Sequence, residues 1–135
     1  MRQKLNIRND SGQAMVEFAL VAPLLLLILF AIIQFGIVFM NSVALTDAVR
    51  IGARKASVSR TAADPTAATQ AAVLGAANDL DKSTLAGRIT VAPAGGNWTQ
   101  GNSITVSATY PYSIDILGIV VASGDLHSAT TERLE

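Results

Sequence analysis

Gly12-Gln13-Ala14-Met15-Val16-Glu17-Phe18-Ala19-Leu20-Val21-Ala22-Pro23 leads directly into Leu24-Leu25-Leu26-Leu27-Ile28-Leu29-Phe30-Ala31-Ile32-Ile33. No charged residue falls between Glu17 and Asp47, a gap of about 29 residues, where crossing the hydrocarbon core of a bilayer takes roughly 20. The stretch therefore predicts one membrane helix, spanning about residues 18–40, with a single carboxylate at its start. Pro23 lacks a backbone donor and is expected to kink the helix or loosen its first turns.

Outward from this run the pattern changes on both sides. Residues 1–11 are polar and mostly basic, with Arg2, Lys4 and Arg8 against Asp10. That is the form of a signal peptide or signal anchor, but the apolar run is longer than a cleaved signal requires and no small-x-small site closes it. A peptidase acting here would cut ahead of the helix, on the cytoplasmic side. Charge alone leaves orientation open, because Arg50, Arg54, Lys55 and Arg60 follow the other end.

From Phe35 onward, Val38, Leu45, Val49 and Ala53 recur at spacings of four and seven, while Asn41, Asp47, Arg50 and Arg54 take other positions. One continuous helix over residues 13–57 is expected, leaving the membrane and becoming amphipathic. At 1.5 Å per residue it would be about 65 Å long, so its outer half must pack on the following domain or on partners. Residues 58–135 form the expected domain beyond the helix. Asp64-Pro65 is a helix start, since Asp caps and Pro suits the first helical position. Val73, Ala76, Ala77 and Leu80 give a second, alanine-rich helix one apolar face over residues 65–80.

Three strand signals follow. Ile89 and Val91 alternate with Thr90 and Ala92, and residues 93–97 form a turn. Ile104, Val106, Ala108 and Tyr110 alternate with Thr105, Ser107 and Thr109, and Pro111 is expected to end or edge that strand. Residues 126–132 are read as the last strand. Residues 114–121 are apolar without a period: a core loop, a short helix or a surface resting on lipid, with core as the favoured reading. The fold class is α+β: a long N-terminal transmembrane and amphipathic helix, a second short helix and a small antiparallel sheet of about three strands.

The chain of 135 residues has zero net charge, one histidine and no cysteine. This argues against a basic nucleic-acid binder, a disulfide framework and a thiolate metal site. His127 alone among scattered carboxylates offers neither a metal site nor a catalytic triad, so no enzyme, cofactor or metal is expected. Asp47 with Arg50 and Arg54, and Asp79 and Asp81 with Lys82, read as solvated charge pairs. The sharper alternative is a subunit contact at Arg50 or Arg54. Trp98 is read either as packed beneath its glycine-rich turn or as an exposed contact residue.

Glu17 is costly to bury at the edge of a membrane helix. If the chain is cut after Gly12, a new α-amine appears on Gln13, one helical turn from the Glu17 carboxylate. Between subunits offset along a fibre axis, the amine of one would meet the carboxylate of the next and reward correct register. Glycine at position 12 supplies an unhindered backbone for cutting.

At these residues the sequence resembles the TadE-like family of pseudopilins, minor pilin-like proteins of tight-adherence (Flp-type) pili. The family's processing site is a glycine, four residues, then Glu and an aromatic; here Gly12, Gln13-Ala14-Met15-Val16, Glu17 and Phe18. Residues 19–24, Ile32-Ile33-Gln34-Phe35-Gly36 and Asp47-Ala48-Val49-Arg50-Ile51-Gly52-Ala53-Arg54 also look like the family. At Gln34 these proteins often carry Glu; glutamine keeps the hydrogen-bonding capacity without the charge. The resemblance implies a pilin-like fold, residues 1–12 as a cytoplasmic leader, and a cut between Gly12 and Gln13 by a membrane prepilin peptidase. It further implies a single-pass protein of the bacterial inner membrane, with its N-terminus cytoplasmic and its domain exported. Partners would be other pilins and minor pseudopilins and the inner-membrane assembly platform, with Glu17 and Phe18 in assembly and Gln34, Asp47, Arg50 and Arg54 as candidate subunit contacts. The role would be in adhesion or biofilm. Loss of residues 1–12 would leave a net side-chain charge of about −2. The alternative is a monomeric signal-anchored envelope protein carrying a small binding domain.

Overall fold

A computed structural model of the chain describes residues 10–135. The expected basic leader therefore lies outside the described residues over positions 1–9. The elements in chain order are α1 (Asp10–Val58), α2 (Pro65–Ala76), α3 (Lys82–Ala86), β1 (Ile89–Pro93), a 3-10 turn (Ala94–Gly96), β2 (Ser103–Ile116) and β3 (Ile119–Arg133). The long helix, the short second helix and the three-stranded antiparallel sheet of an α+β fold are all present. α1 has 49 residues and runs through Pro23, a length of about 73 Å at 1.5 Å per residue.

The outer half of α1 is a wall of the core. Leu45, Ala48, Val49, Ala53 and Ala56 are buried on it, following the three-and-four spacing of a single helical face. Against them lie Val73 and Ala77 at α2, Leu80 and Leu85 around α3, and Ile104, Val106 and Ala108 from β2. Small residues on both helices permit close approach. A Cβ at Gly52 would sit 2.2 Å from Val73 Cγ2, so only glycine fits at the crossing. Asp64 caps α2 by accepting a bond from the Ala67 amide at 2.9 Å, with Pro65 in the first turn. α2 ends at Ala76, four residues earlier than its apolar spacing predicts, and Ala77 is the C-cap. Leu80 is still buried, but from the turn that follows, in which Asp81 starts the separate helix α3.

The sheet is a meander with β2 in the centre. β1 pairs only with residues 104–108 of β2, whereas β3 pairs along all of β2, from Ser103↔Arg133 to Ile116↔Ile119. The strand does not end at Pro111. The Thr109 amide points to the β1 side, where it reaches the Arg88 carbonyl at 3.1 Å. By the alternation of a strand the Pro111 nitrogen faces that same side, beyond the start of β1, so its missing donor breaks no ladder bond.

Beyond Thr109 the sheet continues as a two-stranded arm. Residues 114–121 are not core. They form the end of this arm, with Ile114 and Ile116 half-buried and Leu117, Ile119, Val120 and Val121 exposed. The turn is Leu117-Gly118, with φ of 55° and 83°, the pair of positive angles that defines a type I′ hairpin turn. Tyr112 stands over Gly124, where a Cβ would meet the ring at 3.1 Å.

The C-terminal residues close the other end. Leu134 is buried, and its amide and carbonyl bond the Asn102 carbonyl and the Gly101 amide, each at 2.8 Å. The Glu135 amide donates to the Ser57 carbonyl at 3.0 Å, tying the last strand to the end of α1. Trp98 packs against the core, resolving its two readings in favour of packing. His127 is exposed on β3 opposite Thr109.

Candidate processing and assembly site

Helix α1 starts before Gly12, so the Gly12–Gln13 bond lies within the first turns of a helix. Gln13 and Glu17 are one turn apart on an exposed face, and Gln13 Nε2 donates to Glu17 Oε1 at 3.0 Å. The glutamine side chain thus supplies the carboxylate with one donor in the full chain. Phe18 beside it is 70% exposed.

Around this pair the helix carries large apolar side chains in every direction. From Met15 to Met40 the leucines, isoleucines, valines and phenylalanines are exposed, apart from a half-buried Val38. A helix apolar on all sides belongs in lipid or among other helices. Among the described residues, one helix is long and apolar enough to cross a membrane.

The other expected site residues do not gather around Glu17. Gln34 is half-buried about 25 Å further along the helix axis. Asp47, Arg50 and Arg54 are exposed on the outer half, Asp47 and Arg50 standing 3.9 Å apart as a loose solvent-exposed pair. These positions are spread along and around one helix and are not gathered into a cluster. Asp81, also singled out by its charge, is a helix cap. It accepts bonds from the Ser83 amide at 3.0 Å and from the Ser83 and Thr84 hydroxyls. Those bonds, with Thr84 contributing most and Ser83 next, hold its carboxyl below the ordinary value of 3.8.

Two features went unread in the sequence. Gly52 gives no local sign of its packing role, because the close neighbour Val73 is remote in sequence. The arm's turn was masked because leucine stands where Asn, Asp or Gly normally takes the first positive φ, leaving only Gly118 as a signal.

A single exposed apolar helix with a carboxylate at its start, bearing a small α+β head, fits a membrane-anchored protein. Residues 12–54 match the family model described as TadE-like protein. The resemblance is thereby borne out over residues 12–54, and the match begins at Gly12 itself. No curated protein and no solved structure matches the chain.

Proposed function

We propose that this chain is a minor pilin-like subunit serving the biogenesis of a tight-adherence pilus. It is held in the inner membrane by α1 with its head outside, and it is cut between Gly12 and Gln13 by a prepilin peptidase. The observation that carries this reading is the Gln13–Glu17 pair. It stands at the start of a helix whose apolar side chains from Met15 to Met40 are largely exposed, within the TadE-like segment.

Hydrolysis of the Gly12–Gln13 amide would release residues 1–12 and leave a protonated α-amine on Gln13. The amine is a stronger partner for Glu17 than the neutral Gln13 side chain, because charge-assisted bonds are roughly twice as strong as neutral ones. In a dry bundle of α1 helices, an amine and a carboxylate from neighbouring subunits satisfy each other only when the helices are correctly offset. A misplaced subunit leaves both charges unpaired at a cost of several kcal/mol. The exposed apolar surface from Met15 to Met40 then passes from lipid to neighbouring helices without entering water.

Mass spectrometry of the protein from cells with and without the prepilin peptidase tests the reading. The expected mature N-terminus is Gln13, and it disappears without the peptidase. Gly12→Glu places a bulky charge at the cut and is expected to leave the leader attached. An uncut chain in piliated cells would refute the proposal.

A further inference from the structure

The two-stranded arm does not project into solvent. It lies along α1, and Ile114, Ile116 and Val121 close an apolar groove against Ile28, Ala31, Ile32 and Phe35. Those four helix residues belong to the uncharged run that is long enough to cross a bilayer. Its tip thus stands level with the membrane-spanning part of the helix, well below the core at Leu45.

The chemistry of the tip changes along its length. Ser113 and Ser123 face each other across the arm, and the register shifts between Ile114 and Asp115. Past that point, Ile116, Leu117, Ile119, Val120 and Val121 are apolar, and all but Ile116 are exposed, Leu117 to 72%. Leucine is a poor choice for a turn position at φ 55°, where Asn or Gly relieves the steric conflict. Local stability thus does not account for this residue; a site that takes up its side chain does. Asp115 Oδ1 accepts from the Gly118 amide at 2.8 Å, which satisfies that donor of the turn.

We propose that the tip of the arm inserts into the lipid bilayer beside α1, as a second, shallow membrane contact on the outward side. Lipid is the occupant because the tip's exposed apolar surface continues that of the helix without a polar break at the groove. The depth is limited by the backbone. Past Thr109, β2 lacks β1 as a neighbour and β3 is an edge strand. Open strand edges are not tolerated in the hydrocarbon. Only the apolar side chains of the turn and its flanks enter, Leu117 foremost; the turn backbone stays at headgroup level with Ser113, Ser123 and Asp115, whose carboxylate bonds the Gly118 amide.

This inference rests on the membrane reading of α1, so the test separates the two. The full chain has no cysteine, and single cysteines at Leu25, Val120 or Thr131 can each carry a fluorophore. The labelled chains are reconstituted in phosphatidylcholine vesicles containing a nitroxide-labelled lipid, with iodide as the aqueous quencher. Leu25 and Val120 are expected to be quenched by the nitroxide lipid several-fold more than Thr131, and Thr131 alone strongly by iodide. Leu117→Asn preserves the turn and is expected to reduce lipid quenching at Val120 while leaving Leu25 unchanged. Quenching at Leu25 with an iodide-accessible Val120 overturns the insertion but keeps the membrane helix. Loss of lipid quenching at Leu25 as well overturns both. Protection of Val120 from both quenchers means that protein covers the tip, and also overturns the proposal.

Discussion

Gly52 of α1 and Val73 of α2 approach so closely that a Cβ on the glycine would lie 2.2 Å from Val73 Cγ2. Valine in a helix has little χ1 freedom to retreat. Intrinsic propensity favours alanine over glycine in a helix by about 1 kcal/mol, yet Gly52→Ala is expected to destabilise the protein by about 1–3 kcal/mol through overpacking. Adding Val73→Ala should recover part of that loss, giving a double-mutant coupling in chemical denaturation of the detergent-solubilised chain. A Gly52→Ala protein as stable as the parent would contradict the packing described here.

At the other end of the fold, Leu134 fills a site beside β2 and α1 although it lies past the last strand. Truncating it leaves a cavity and frees the terminal residues that bond Asn102 and Ser57. Leu134→Ala is expected to cost about 2–5 kcal/mol, read as a lowered denaturation midpoint with an unchanged slope.

Asp81 links stability to pH in one direction. Its carboxyl is held below 3.8 by the Thr84 and Ser83 bonds. Its contribution is therefore fully present above the ordinary value and is lost as pH falls through the lowered one. NMR should show the Ser83 and Thr84 amides of α3 shifting only below about pH 4. Asp81→Asn, which keeps a cap but not a titrating group, should abolish that response while the rest of the domain is unaffected.

Charge and hydrogen bonding at Glu17 can be separated. Glu17→Gln retains a hydrogen-bond acceptor for the Gln13 side chain or an α-amine but cannot form a charge pair. Both Glu17→Gln and Glu17→Ala are expected to insert normally in membranes, scored by membrane fractionation, and to reduce pilus assembly severely. Normal piliation by Glu17→Gln would eliminate the charge-pair account.

The sequence carried the local signals of this fold well. Asp64-Pro65 announced α2, the alternation from Ile104 to Tyr110 announced β2, and the spacing of Leu45, Val49 and Ala53 announced the buried face of α1. It carried the non-local ones poorly. Whether Pro111 stops a strand depends on where β1 begins, which no neighbouring residue records. Residues 114–121 have the apolarity of core, and only the length of the arm determines that they lie against the membrane stretch of α1. The one-turn relation of Gln13 and Glu17 was legible because its spacing is local to one helix.

The burial of Leu45, Ala48, Val49, Ala53 and Ala56 has a mechanical consequence. The head is not hung from α1 by a tether; α1 is its spine, and the folded unit begins within the helix and not after it. Tension applied along residues 13–40 reaches the sheet with no slack to take up, and a turn of the helix about its axis turns the head through the same angle. Any force or partner that fixes the bearing of α1 therefore also fixes the bearing of β1, β2 and β3.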